Sequence, residues 1–199
     1  MLADNTISKY VLICTIALTN CGRWDANYRR NQERYVRENM FKSIGFKQIT
    51  TRKLAWDDFK GEPSFSGAKS AELLWKIFYY RDTISNSNHT FNPGLKVWYA
   101  FDENSWVLPQ FKSDILLNHE QVHFDIVKIY ADSMKILIPT LAPFSESNWK
   151  RRVDSLKNNI VSRCRKMQNY YDIETGYAKN TEKQVIWDSL IKYKIISYK

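Results

Sequence analysis

The stretch Leu116-Leu117-Asn118-His119-Glu120-Gln121-Val122-His123-Phe124-Asp125-Ile126 decides how the rest of this chain is read. Two histidines stand four residues apart, with a glutamate directly after the first. On an α-helix, positions i and i+4 share a face, so both imidazoles reach toward one point. Zinc accepts neutral imidazole nitrogen at about 2.0–2.1 Å in a roughly tetrahedral arrangement. Glu120 would then flank the open position of the ion as a general base and acid rather than bind it. The surrounding residues have the period this requires. Ile115, Leu116, His119, Val122, His123, Ile126, Val127 and Tyr130 fall at the three- and four-residue spacing of one helix face. A helix is therefore expected from about Lys112 to Pro139, with Ile115-Leu116-Leu117 anchoring it in the core so that the histidines are held firmly.

Downstream of this helix the pattern stays helical. Pro139 and Pro143 end it; Ser145 or Ser147 caps a second helix through about Tyr170, and Thr181 a third over 182–194. Upstream the pattern is that of strands. Ile49 to Phe59 reads as a strand entering a turn, and Gly61, Pro63, Ser64, Ser66 and Gly67 mark a loop. Trp, Ile, Phe and Tyr crowd into 71–80, which favours a strand broken by Asn86-Ser87-Asn88. Leu95–Phe101, after the turn Asn92-Pro93-Gly94, is its expected antiparallel partner. Strands first and helices afterwards suggest an α+β domain, a small antiparallel sheet packed on a helical half that contains the histidine motif.

The amino terminus reads differently. An apolar run from Tyr10 to Leu18 is too short to span a bilayer but suits the core of a signal peptide. Ala17-Leu18-Thr19-Asn20-Cys21-Gly22 then resembles a bacterial lipobox, although a small residue is usual where Asn20 stands. The expectation is a lipoprotein-type signal peptide over 1–20 and a lipid on Cys21, which anchors the exported protein to a bacterial membrane without crossing it. Residues 21–47, polar and basic, read as a tether with a short helix, and 48–199 as the folded domain. Such processing removes Cys14 and consumes Cys21, leaving Cys164 with no disulfide partner, so stability has to come from packing. Cys164 itself lies in a helical pattern and reads as a small buried hydrophobe. The net charge of +9 gathers in Arg23–Lys53 and Lys150–Lys166. With no nucleic-acid motif beside it, this charge reads as solvated helix faces and not as a nucleic-acid surface.

Three motifs together carry a family resemblance. Leu54-Ala55-Trp56-Asp57-Asp58-Phe59-Lys60-Gly61 opens the domain. Ser105-Trp106-Val107 and the histidine stretch form its centre, and Tyr171-Asp172-Ile173-Glu174-Thr175, followed by Gln184 and Trp187, closes it. In these the chain resembles the bacterial DUF922 family of predicted secreted zinc-dependent proteases, over roughly residues 48–195. The resemblance implies a zincin-like domain that holds zinc and cleaves peptide or protein substrates. The family usually continues Glu-Thr-x-His-Gly, where this chain has Gly176-Tyr177-Ala178. A catalytic zinc needs three protein ligands. His119 and His123 supply two, and His89 sits upstream in a polar turn. Glu174 is the expected third, because histidine–histidine–glutamate is an established zinc set. Asp172 is an alternative, or the partner that orients a ligand histidine, and Tyr177 could reach the metal or a substrate oxyanion. Trp56, Phe59, Trp106, Tyr130 and Trp187 read as core, with Asp57 or Asp58 capping a turn. The function expected is hydrolysis of peptide bonds by metal-activated water with Glu120 as catalytic base. The alternative is a degenerate zincin-like lipoprotein with a binding or structural role and no hydrolysis.

Overall fold

The computed structural model describes residues 46–47, 53–63, 69–81, 85–87 and 90–197. The expected leader over 1–20, the lipid site Cys21, most of the tether, and His89 lie outside these residues. Ile44–Lys199 forms one compact unit. Its order is β1 (Phe46–Lys47), β2 (Ala71–Glu72), β3 (Trp75–Arg81), β4 (Ser85–Ser87), β5 (Thr90–Asn92), β6 (Leu95–Asp102) and β7 (Trp106–Val107). The helices α1 (Asp114–Leu137), α2 (Trp149–Thr175) and α3 (Thr181–Ser197) follow. The class is α+β, as the order of patterns implies.

β3 and β6 pair antiparallel from Trp75 opposite Phe101 to Arg81 opposite Leu95. The pairing expected between these segments holds, with two refinements. A two-stranded ribbon, β4 with β5, extends the hairpin. The segment 71–80 is not one strand: it splits at Leu73-Leu74, and β2 leaves the main sheet to pair with β7. Ser105 holds that split, since its buried hydroxyl accepts the Leu74 N–H at 3.0 Å. Phe46–Lys47, read from sequence as tether, pairs with Asp102 and Phe101 as the outer strand of the sheet.

The opening motif is not a strand where it is described. Lys53–Ala55 is irregular, and Trp56–Asp58 is a 3-10 turn. The buried Asp58 carboxylate accepts the Ala55 N–H at 2.9 Å and closes that turn locally, which competes with extension. Trp56 and Phe59 pack on the core, as expected. Their loop docks on the motif helix, where Leu54 N–H donates to Gln121 Oε1 at 2.8 Å.

α1 is the axis of the domain. Its amino end is set by Ser113, whose hydroxyl accepts from Leu116 N–H at 3.2 Å. Phe124 meets Tyr99 and Phe101 of the sheet at ring distances of 5.4 and 5.8 Å. α2 and α3 cover the opposite side. Burial therefore spreads beyond the single face read from sequence: Phe124 and Ile129 are buried as well, whereas Ile115, expected as an anchor, is 50% exposed. Ile115 faces solvent, while Leu116 beside it in the same turn takes the buried side. Pro139 sits in a 3-10 turn that ends the helix, as expected.

α2 runs five residues past its expected end. No Gly or Pro interrupts it until Gly176, which takes the left-handed conformation (φ 56°) that a helix end favours. Its amino cap is Asn148, whose side chain accepts from Ser145 N–H. For α3 it is Asn180 that accepts from Lys183 N–H at 3.1 Å, in the capping role expected of Thr181. No helix among the described residues is long and apolar enough to cross a membrane.

Candidate metal centre

His119 and His123 project from one face of α1, and both are buried. Their Nε2 atoms lie 3.2 Å apart. Asp172 of α2 completes a triangle: its Oδ1 is 3.2 Å from His119 Nε2 and 2.9 Å from His123 Nε2. Two helices distant in sequence thus aim three donor atoms at one point.

The proton on His119 is set by its other nitrogen. Nδ1 lies 3.1 Å from Gln184 Oε1, a carbonyl oxygen that also accepts the Tyr171 hydroxyl at 2.7 Å. The Gln184 amide nitrogen in turn donates to Asp188 Oδ1 at 2.7 Å, and Asn118 donates to Asp188 Oδ2 at 2.8 Å. The carboxylate of Asp188 only accepts, so the amide orientation follows. Gln184 Oε1 can then receive only a proton from Nδ1, and the lone pair of His119 is left on Nε2, facing His123 and Asp172. Tyr171 stacks on the His119 ring (centroids 4.5 Å, 20° between planes) and meets Trp187 edge-on, which fixes the imidazole from its flat side. Burial pushes the Tyr171 phenol well above its usual range, so it remains a neutral donor.

The electrostatics of the triangle follow from its burial. Burial opposes charge on His123, but the hydrogen bond to Asp172 and the negative charges of Glu120 and Asp172 outweigh it and raise its pKa. Burial alone would raise Asp172; its close contacts with the His119 and His123 imidazoles outweigh it and hold the carboxylate well below the usual range. An acceptor set this dense calls for positive charge at its centre. A proton on His123 supplies it for one pair, and a metal ion would supply it for all three atoms. Ligand atoms on a tetrahedral ion with bonds of 2.0–2.1 Å stand about 3.3 Å apart. The three edges observed here, 3.2, 3.2 and 2.9 Å, are close to that length. His119, His123 and Asp172 therefore form a group that could hold a metal ion.

Glu120 has no part in the triangle, although it lies beside it. It is buried and lines the same cleft, and its Oε2 has no protein hydrogen-bond partner. Burial pushes its carboxyl up from the usual value, with His123 and His119 pulling the other way. An unpartnered buried carboxyl oxygen is costly unless it has work to do with a ligand or water. The cleft, about 430 Å³, opens between the β2–β3 segment and the two helices. Lys69 and Glu72 line it on the strand side, Arg165 and Gln168 on the α2 side. Gln168 accepts from the Trp75 indole at 3.1 Å and so ties the sheet to α2 under the triangle.

The structure does not bring Glu174, the third ligand expected from sequence, to the two histidines. Glu174 is exposed and turned away, its Oε2 accepting from the Trp187 indole N–H at 2.8 Å. The reason is helical phase: with α2 intact to Thr175, Glu174 points about 200° around the axis from Asp172. Asp172, weighed as an alternative, shares its face with Arg165, Gln168 and Asn169, all lining the cleft. Tyr177 lines the cleft too. The roles of Asn118 and Asp188 were not read from sequence. Their signal is faint, because a polar pair on two helices acquires meaning only once the helices are packed.

Comparison with protein-family models, with characterised proteins and with solved structures finds no match to this chain.

Proposed function

We propose that this chain is a zinc-dependent peptidase of the DUF922 kind, exported and lipid-anchored through Cys21, that hydrolyses peptide bonds in a peptide or protein substrate. One observation carries the reading: three donor atoms converge within 3.2 Å of one another, with an unpartnered buried glutamate beside them. A structural histidine pair needs neither the third converging ligand nor the idle carboxyl.

Zinc in this group would supply a Lewis acid that polarises the scissile carbonyl and makes water acidic enough to react near neutral pH. The chain's own residues do the rest. His119, His123 and Asp172 would hold the ion at the edge of the cleft. Glu120 takes a proton from the attacking water and returns it to the leaving amine. Gln184 and Tyr171 keep the His119 ring in one tautomer and one orientation, so the site is set before substrate arrives. Tyr177, on the same cleft, offers a hydroxyl of the kind that stabilises negative charge developing on the carbonyl oxygen.

Elemental analysis of the purified protein, paired with turnover of an unstructured protein or a quenched fluorescent peptide set, tests the reading. The expected result is one zinc per chain and hydrolysis that disappears in Glu120→Gln while the zinc stays. Zinc retained by a wild type with no hydrolysis supports the degenerate zincin-like alternative. Iron in place of zinc would move the site to another chemistry, since two histidines and one carboxylate also hold non-haem iron. Absence of any metal after zinc is supplied sinks the proposal.

A further inference from the structure

α3 is apolar on two sides. Its inner side, with Trp187 and Ile191, is buried against the domain. Its outer side carries Val185, Ile186, Leu190 and Tyr193, which are 63, 55, 44 and 72% exposed. At 3.6 residues per turn, Val185, Ser189, Tyr193, Ile186 and Leu190 fall in that order across one arc of about 140°. Exposed lysines border the arc on both sides, Lys192 beside Val185 and Lys183 beside Leu190. The acid on this arc, Glu182, sits in the first turn ahead of the patch, where it suits the positive end of the helix.

We propose that the outer face of α3 is a membrane-surface contact that lays Val185, Ile186, Leu190 and Tyr193 into the headgroup boundary of an anionic bilayer. An apolar strip bordered by lysines is the pattern of a helix lying in the interface plane. The apolar side chains leave water, a tyrosine sits at headgroup depth, and the ammonium groups reach outward to lipid phosphates. Charge decides between this occupant and a second copy of the chain. A two-fold pair lays the patch on itself and brings lysine borders of one copy near those of the other, in a protein already at +9. An anionic surface meets both borders with the opposite sign. The contact is independent of the peptidase reading, since it uses no residue of the metal centre.

The test uses the full chain carrying Cys14→Ser, Cys21→Ser and Ser189→Cys, so that no lipid is attached and an environment-sensitive fluorophore sits in the middle of the arc. Cys164 is fully buried and its thiol is pushed up to about 12 by burial, so it stays unlabelled. Vesicles of phosphatidylcholine with about one-third phosphatidylglycerol should shift the emission to the blue, and pure phosphatidylcholine much less. Adding Ile186→Ser with Leu190→Ser should weaken the apparent affinity about tenfold or more, and Lys183→Glu with Lys192→Glu should abolish the preference for the anionic lipid. These positions are exposed, and circular dichroism confirms the fold of each variant. Emission that ignores vesicles overturns the proposal, as does a response untouched by both pairs of changes. A blue shift that grows with protein concentration alone, with dimers in sedimentation, assigns the face to a second copy instead.

Discussion

His119 Nδ1 meets Gln184 Oε1 at 3.1 Å across 65 residues of sequence, and this contact leaves Nε2 of His119 free to face Asp172 and His123. Gln184 is buried and also accepts from Tyr171, so a single amide oxygen holds both the ring and the aromatic that stacks on it. Gln184→Leu should lower zinc affinity about 10- to 100-fold, the usual cost of losing a partner behind a ligand histidine. Gln184→Glu keeps the acceptor for Nδ1 but turns an oxygen toward Asp188, so Gln184→Glu combined with Asp188→Asn, which restores a donor there, should recover most of the affinity. Zinc titration against a competing chelator reads both. Equal affinity in all three proteins would show that Gln184 does not orient His119.

A second prediction concerns the end of the opening motif. Lys60 N–H donates to Glu103 O and Gly61 N–H to Ser105 O, laying 60–61 against the turn between β6 and β7. A Cβ on Gly61 would run into the backbone carbonyl of Asn104. The obstacle is main chain and not the end of a flexible side chain, so the two segments must separate. Gly61→Ala should therefore cost about 1–3 kcal/mol in denaturant unfolding, as overpacking does. Full stability in that variant would mean the loop is not docked this way.

Acid should weaken the domain partly through α1. Asp132 lies between Lys128 at 2.6 Å and Lys135 at 2.7 Å. Burial raises its pKa, but the two ammonium hydrogen bonds outweigh this and leave it below 3.8. A carboxylate depressed in the folded state contributes stability above its unfolded pKa and loses it as pH falls through the folded value. Asp132→Asn should then be less stable than wild type at pH 7 by about 1 kcal/mol, a modest figure for a partly exposed cluster. The gap should close as pH falls below 3.8. A gap that stays constant with pH would assign the loss to packing instead of charge.

The parts of this fold legible in the sequence are those set by local pattern. α1 announces itself by its apolar period and its end by Pro139, and the β3–β6 pair by aromatic density around Asn92-Pro93-Gly94. What the pattern misses depends on partners far along the chain or on competition within a short segment. The break at Leu73-Leu74 needs Ser105 from 31 residues away. Lys53–Ala55 is irregular where the pattern reads as strand, because Asp58 reaches back to the Ala55 backbone and closes the turn that the sequence leads into. His119 and His123 could be placed on one face from spacing alone. Their third partner required knowing where α2 stops, and the expected end at Tyr170 removed the helical phase that distinguishes Asp172 from Glu174.

That phase makes the sharpest prediction. Asp172 and Glu174 are two residues apart and both acidic, yet one touches both histidines and the other holds the Trp187 indole. If Asp172 completes the metal group, Asp172→Ala should weaken zinc binding by more than about a hundredfold, because a ligand and its charge are both lost. Glu174→Ala should leave zinc affinity within about twofold and cost at most about 1 kcal/mol of stability, the worth of one partly exposed hydrogen bond. Tyr177→Phe should likewise keep the zinc, since the three-ligand set is complete without the phenol. The same chelator competition, run on all three variants beside chemical unfolding, separates metal loss from a damaged fold. Zinc held tightly by Asp172→Ala and released by Glu174→Ala would reverse the assignment. Such a result would require the end of α2 to unwind on binding, bringing Glu174 round to the face that Asp172 now occupies.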